Sequence, residues 1–249
     1  MAEQFVLRLA RAHMVAPTVR HLAFDRADGQ PLAFIPGQFL QVHFEYDDGK
    51  PTKRSYSVAT VADDPYNPEG HIEIAVSYVE GGAATKLLSA LAPGETVQAS
   101  GPYGRFVLFD TDKNARYLLI ATGTGVTPYR AMLPELVRHH RERGIEVVLL
   151  QGARAAADLL YADEFDAFAD AHPWFRYVPC LSREARTSGR ADDRSGYVQN
   201  AFPAFAPDAA RDIAYLCGNP NMVDASFEAL KGFGLPVPAI RREKYVSSR

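Results

Sequence analysis

Cysteine is scarce. The 249 residues hold two, Cys180 and Cys217, far apart and in no C-x-x-C pairing, so neither an iron–sulfur cluster nor a zinc site can be built from them. No metal site is expected. An excess of one charge is lacking too: 27 Lys and Arg stand against 30 Asp and Glu, a net charge of −3, and nothing suggests a nucleic-acid binder. No apolar run approaches a membrane span, and the opening MAEQFVLRLARAHMVA lacks the apolar stretch of a secretory leader. A soluble, cytoplasmic, monomeric chain is expected. Internal repeats and low-complexity tracts are absent. One absence is local. In ATGTGVTPYRAML, 121–133, Gly123 and Gly125 have the G-x-G spacing of a dinucleotide fingerprint, but Pro128 stands where the third glycine belongs.

What is present divides in two. Apolar residues make up 47% of the chain, enough for one large domain or two modest ones. Residues 4–109 carry alternating or β-rich runs (QFVLRLARA, TVRHLAF, QFLQVHFEY, HIEIAVSYV, ETVQAS) separated by Gly, Pro and Asp turns, with one short helix at 85–92. This pattern predicts a small antiparallel β-barrel. From about 115 onward the strands RYLLIA, IEVVLLQG, FRYVPCLS and IAYLCG alternate with helices near 128–142, 161–171, 196–205 and 220–232, which predicts a parallel α/β sheet. The polar seam FDTDKNA, 109–115, divides a first domain, 1–112, from a second, 113–249.

The loop after RYLLIA is small and glycine-rich. Thr127 is a suitable N-cap and Pro128 a suitable first helical residue, so strand, loop and capped helix would aim free N–H groups and a helix dipole at one spot, fit for a phosphate. An ordinary βα turn using glycine for tight geometry fits the same residues. Pro134 should kink or break the helix that follows. In KRSYSVAT, 53–60, alternation sends Arg54 and Tyr56 to one face and Ser55 and Ser57 to the other, unless the strand ends there. An Arg beside an aromatic can grip a phosphate while the ring stacks on a flat heterocycle; an edge strand with an exposed Arg and a half-buried Tyr fits as well. GGAATKLL, 81–88, feeds a helix whose N-cap would be Thr85, either an anion site or a plain turn. SGPYGRF, 100–106, reads as a tight turn closing the barrel.

Taken in order, these segments resemble the ferredoxin–NADP+ reductase superfamily over nearly the whole chain. Arg54-Ser55-Tyr56-Ser57 resembles its R-x-Y-S flavin motif. The resemblance implies that the Arg contacts the flavin phosphate, the Tyr stacks on the isoalloxazine and the Ser approaches flavin N5. Gly82-Ala83-Ala84-Thr85 is similar to the second flavin segment, Gly101-Pro102-Tyr103-Gly104 to the G-P-x-G turn, and Cys217-Gly218 to the C-G motif beside the nicotinamide. Thr122 precedes Gly123-Thr124-Gly125-Val126-Thr127-Pro128, which resembles the G-T-G-x-x-P nucleotide loop, where Pro128 is the expected residue. The implied cofactors are FAD and NADP, with NADPH as hydride donor and ferredoxin or flavodoxin as electron partner. Ser57, Cys217 and Glu243 are the candidates for the catalytic pocket, Cys217 as a small wall and not as a thiolate. Tyr245 is the candidate to cover the flavin face, although VSSR follows it where plant-type members stop at the aromatic. A β-strand edge residue is the other reading of Tyr245.

An NADPH site needs cations at the C-terminal ends of parallel strands. Arg154 and the pair Ser182-Arg183 match the family's 2′-phosphate contacts, and Tyr197 resembles its adenine-stacking Tyr. The arginine-rich insert 183–194 is expected to be a solvated loop. A basic docking patch is expected around the exposed flavin edge from Arg8, Arg11, Lys50 and Lys53 together with the helix-terminal basic residues; scattered solvated charge fits the same residues. Two alternatives stand beside the reductase. One is the reductase component of a multicomponent oxygenase, without the fused iron–sulfur domain some such relatives carry. The other is a non-catalytic flavin-binding electron-transfer or regulatory subunit.

Overall fold

The structure, a computed structural model, describes residues 3–46, 48–62, 67, 70–79 and 81–245. Two compact units emerge. The first takes the chain up to Leu108 together with Thr127–Glu135. The second takes Phe109–Val126 and the described chain from Leu136 to Tyr245.

The first unit contains β1 (Glu3–Ala16), β2 (Val19–Arg26), β3 (Phe39–Glu45), β4 (Pro51–Ser57), β5 (Ile72–Ser77), α1 (Ala83–Ala90) and β6 (Thr96–Tyr103). Its strands form one sheet in the order β4-β3-β6-β1-β2-β5, every pair antiparallel. A bridge between Val58, just past β4, and Ile74 of β5 brings the two edges together, so the sheet curls into a barrel. Alternation does what the sequence anticipates. Phe5, Leu7 and Leu9 of β1 point inward with Leu22, Phe24, Leu40, Val42 and Ile74, while Arg8 is exposed. Each such side chain contributes roughly 1.5–3 kcal/mol by leaving water.

SGPYGRF departs from expectation. Gly101 and Pro102 lie inside β6, where Phe39 pairs with Tyr103 but Gln41 with Ser100, an extra residue on β6 and hence a bulge. Gly101 has φ +145°, and a Cβ there would lie 2.9 Å from Leu40 Cδ2. Pairing with β3 extends the strand through the glycine that would otherwise end it.

The other elements are β7 (Arg116–Thr122), α2 (Thr127–Ala131), α3 (Leu133–Arg143), β8 (Glu146–Ala153), α4 (Ala162–Ala171), β9 (Phe175–Leu181), β10 (Arg194–Ser195), α5 (Val198–Phe205), β11 (Asp212–Gly218), α6 (Pro220–Gly232) and β12 (Ile240–Lys244). Of these, α2 groups with the first unit. The helix expected over 128–142 is interrupted at Met132, beside Pro134, as the missing N–H requires. The strands form a parallel sheet, β10-β9-β8-β7-β11-β12. It is buried on both faces, which is why β7 and β11 read as unbroken apolar runs. Leu118, Ile120, Val148, Leu150 and Leu216 pack with Phe202 of α5 and Val223, Phe227 and Leu230 of α6. At the N-terminal edge, buried Arg116 forks onto Asp212, Nε to Oδ1 at 2.8 Å and Nη2 to Oδ2 at 2.6 Å. The insert 183–194 is not a merely solvated loop: Arg186 and Arg190 tie it to Asp166 and Asp170 of α4.

The order matters for function. After β9 and β10 the chain crosses to the other side of β7 to form β11. Neighbouring β7 and β11 therefore send their following loops in opposite directions, which opens a crevice at their C-terminal ends.

Candidate functional site

The loops after β7 and β11 meet there. From Thr122 the chain enters a 3-10 turn, Gly123–Val126, that runs straight into α2. A Cβ on Gly125 would lie 2.2 Å from Cys217 O and 2.6 Å from Gly218 Cα, and one on Gly218, at φ +122°, would lie 2.5 Å from Thr122 O. The Asn219 N–H donates to Thr122 Oγ1 at 3.1 Å. Only glycine allows this approach. The structure thus brings Thr122, Gly123, Thr124, Gly125, Cys217 and Gly218 together. At Gly123, φ +54°, a Cβ would meet nothing within 4 Å, so the turn is open on that side.

Two details differ from the expected capped helix. Thr127 is already helical, because the 3-10 turn starts the coil earlier, so it is not an N-cap. Its Oγ1 is buried without a partner among the described residues. And α2, with Pro128 as its second residue, is five residues long, too short to carry much dipole, so the turn's own N–H groups must do the work.

The last strand adds two candidates. Parallel pairing sets Cys217 opposite Glu243, and the Tyr245 N–H donates to Gly218 O at 2.8 Å. Cys217 is fully buried. Burial, then the charge of Glu243, push its thiol well above the ordinary range, and a hydrogen bond with the Tyr245 side chain only partly opposes them. The thiol is protonated at neutral pH and is no nucleophile. VSSR, 246–249, lies outside the described residues.

At the ends of β8 and β9, the Arg183 N–H donates to Arg154 O at 3.0 Å and the Ser182 N–H to Ala153 O at 3.0 Å. Arg154, Ser182 and Arg183 are therefore neighbours, with both arginines exposed. Tyr197 is 69% exposed, unusual for an aromatic, and follows Gly196, whose N–H donates to Leu181 O at 2.7 Å. Two carboxylates share this region. Asp158 accepts from Arg154 Nε at 3.2 Å, and Glu184 Oε1 accepts from the Ala156 N–H at 2.6 Å. Neither drew notice in the sequence, although Glu184 directly follows Ser182-Arg183.

In the first unit, β4 is an edge strand with Arg54 and Tyr56 on one half-buried face and Ser55 exposed. Ser57 does not follow Ser55. It is buried, because the strand ends there and Val58 turns to bridge β5. Arg54 Nη1 donates to Lys53 O at 2.9 Å and Nη2 to Tyr46 Oη at 3.2 Å, and its guanidinium lies over Phe44. Burial raises the Tyr56 hydroxyl to about 12, against the opposing charge of Arg54, so the ring stays neutral. Thr85 is not an N-cap. α1 begins at Ala83 after Gly82, and Thr85 Oγ1 accepts instead from the Val79 N–H at 2.9 Å. Among the described residues no side chain caps α1 and no acid sits in its first turn, so Gly82, Ala83 and Ala84 present a backbone suited to an anion. An Arg–Tyr face, an uncapped first turn and a glycine turn with open space fit a flavin dinucleotide and a pyridine dinucleotide.

One cluster escaped the sequence. Glu73, 3% exposed at its side chain, receives Arg130 Nη1 at 2.8 Å and Arg11 Nη2 at 3.2 Å and lies 3.4 Å from His21. Arg130 also donates to Ala59 O at 2.7 Å, in the chain just past Ser57. Nothing in HIEIAVS or TPYRAM announces that the two charges meet.

A barrel bearing an Arg–Tyr edge and a switch-point sheet bearing a glycine turn define a flavin- and nucleotide-dependent oxidoreductase. Residues 6–108 match the oxidoreductase FAD-binding domain and 119–227 the oxidoreductase NAD-binding domain. Ferredoxin–NADP reductase B of Sorangium cellulosum is 36% identical over 98% of each chain. The aromatic O-demethylase reductase subunit of Amycolatopsis is also 36% identical, over 87% of this chain but 62% of its own length. The Amycolatopsis cytochrome P450 reductase GcoB superposes with a TM-score of 0.82 at 33% identity, over 98% of this chain and 70% of its own. The chain belongs to the ferredoxin–NADP reductase family, an enzyme family of electron-transferring reductases using FAD and a nicotinamide nucleotide.

Proposed function

We propose that the chain passes electrons from NADPH to a ferredoxin or flavodoxin, as a monomer in the cytoplasm, with residues 1–112 binding FAD and 113–249 the nucleotide. The observation that carries this is the packing of Gly125 against Cys217 and Gly218 at the β7–β11 switch point, with Arg154, Ser182 and Arg183 gathered at the neighbouring strand ends. A flavin held there would supply chemistry that couples two-electron hydride transfer to one-electron transfer. The chain's residues hold and orient. Arg54 pairs with flavin phosphate, Tyr56 offers its ring, and Gly82, Ala83, Ala84 and Thr85 offer N–H groups to the pyrophosphate. Ser57 supplies a hydroxyl to the reacting edge. Thr122 to Gly125 with Pro128 cradle the nucleotide diphosphate, Cys217 and Gly218 wall the nicotinamide, and Glu243 and Tyr245 stand beside them. Arg154, Ser182 and Arg183 take the 2′-phosphate and Tyr197 the adenine.

The test begins with the absorbance spectrum and mass of the released cofactor, which should be FAD, followed by the rate of flavin reduction by NADPH against NADH. Arg154→Ala with Arg183→Ala should raise KM for NADPH by on the order of a hundredfold or more, at about 1.5–3 kcal/mol per charged contact, with NADH kinetics nearly unmoved. A wild type that takes NADH as readily as NADPH overturns the assignment. The second reading, a reductase feeding an oxygenase through a separate ferredoxin, is supported by the equal identity to the demethylase reductase subunit.

A further inference from the structure

The side chains offered to the adenosine end of the nucleotide, Arg183 and Tyr197, are both exposed, so burial does not hold them in place. Arg183 begins the first arm of the loop between β9 and β10, whose second arm runs through Asp193 into β10 and on to Tyr197. Between those arms lies Arg186, 10% exposed at its side chain. It bonds Asp166 of α4 on one side and Asp193 Oδ1 on the other, at 3.2 Å, with Asp166 16% and Asp193 13% exposed. Its guanidinium also lies over the Tyr177 ring of β9. Arg190 reinforces the same anchor, Nε to Asp166 Oδ1 at 3.0 Å, and bonds Asp170. Asp193 leads directly into β10, where Arg194 and Ser195 pair with Cys180 and Leu181 ahead of Gly196 and Tyr197.

We propose that Arg186 is a positioning residue for the nucleotide site. Its planar fork, held between Asp166 and Asp193, cross-links both arms of the loop to α4 and sets Arg183 and Tyr197 at a fixed spacing before the nucleotide arrives. Exposed ion pairs hold little. This triad is mostly shielded from water and forked, the geometry in which arginine gains most. A loop ordered beforehand lowers the cost of ordering on binding. The inference rests on the assignment of the 2′-phosphate and adenine contacts above.

The probe is adenosine 2′-monophosphate, titrated calorimetrically into the flavin-loaded protein. In Arg186→Ala its Kd, and KM for NADPH, should rise roughly 3- to 30-fold, while kcat at saturating NADPH and flavin content hold. Arg186→Lys should recover only part, because an ammonium cannot fork to two carboxylates. Asp193→Asn, nearly isosteric, should give the same split if Arg186→Ala folds poorly. If Arg186→Ala and Asp193→Asn both bind the probe as wild type does, or if kcat falls along with affinity, the positioning role is wrong and the nucleotide assignment stands. A wild type that does not bind the probe overturns both.

Discussion

Two side chains show how context decides what a residue type does. Arg54 and Tyr56 share one half-buried face of an edge strand, opposite Val42 and Leu40 of β3, as alternation requires. A charge-assisted contact from Arg54 to a phosphate is worth about 1.5–3 kcal/mol, so Arg54→Ala should purify largely colourless or shed flavin on dilution. Stoichiometric flavin at unchanged affinity in that variant would remove the motif from the site. Glu73 is a structural counterpart. Burial alone would raise its carboxyl, but bonds and charge from His21 and Arg130 outweigh that and hold it at about 2. A carboxyl depressed on folding stabilises the native state above its unfolded value, near 4.5, and loses that contribution as pH falls through about 2. The amount is on the order of 3 kcal/mol. Glu73→Gln should melt lower at pH 7, since buried Arg130 loses the carboxylate it donates to at 2.8 Å, and should show a flatter loss of stability between pH 4.5 and 2. Equal acid limbs for the two proteins would exclude Glu73 as the group responsible. The face that Arg54 shares with Tyr56 was legible because alternation runs along a single strand. Glu73 was not, because its partner lies in α2, far away in sequence.

Among the elements, those with strong periodicity or punctuation were legible. The break at Met132 follows from Pro134, and α4 and α6 lie where apolar spacing puts them. The failures share a cause. Thr85 and Thr127 look like caps locally, but the preceding backbone coils one turn earlier than a cap allows. β12, which none of the expected strands included, forms because the edge of β11 offers a ladder to an extended chain beside it. The glycine turn supplies the sharpest test of an element's geometry. Gly125→Ala puts a methyl 2.2 Å from Cys217 O, where backbone and not a flexible tip must yield. Overpacking of this kind costs about 1–3 kcal/mol. The variant should keep its flavin and lose most NADPH affinity, measured by the rate and saturation of flavin reduction; wild-type saturation would mean that the turn does not approach the nucleotide.

For the molecule as a whole, the two sheets differ in kind, one antiparallel and curled, one parallel and covered by helices. No helix among the described residues is long and apolar enough to cross a membrane. With a net charge of −3, attraction to an acidic electron carrier requires a local basic patch. The expected patch is thinner than the sequence suggested. Arg11 is drawn to Glu73 and Asn67 and Lys50 to Asp48, while Arg8 and Lys53 are exposed. Ferredoxin reduction should weaken as ionic strength rises while ferricyanide reduction hardly changes. A ferredoxin rate indifferent to salt would dispose of electrostatic docking.

By itself the sequence determined the class of each half and the order of its motifs, because period, punctuation and glycine placement act over a few neighbouring residues. Tertiary structure alone decided which distant groups meet. The closeness of Gly125 to Cys217, Glu73 on Arg130 and Arg186 between Asp166 and Asp193 are each set by strand order and loop path. A charge reveals its partner only when the chain has folded and taken water away from both.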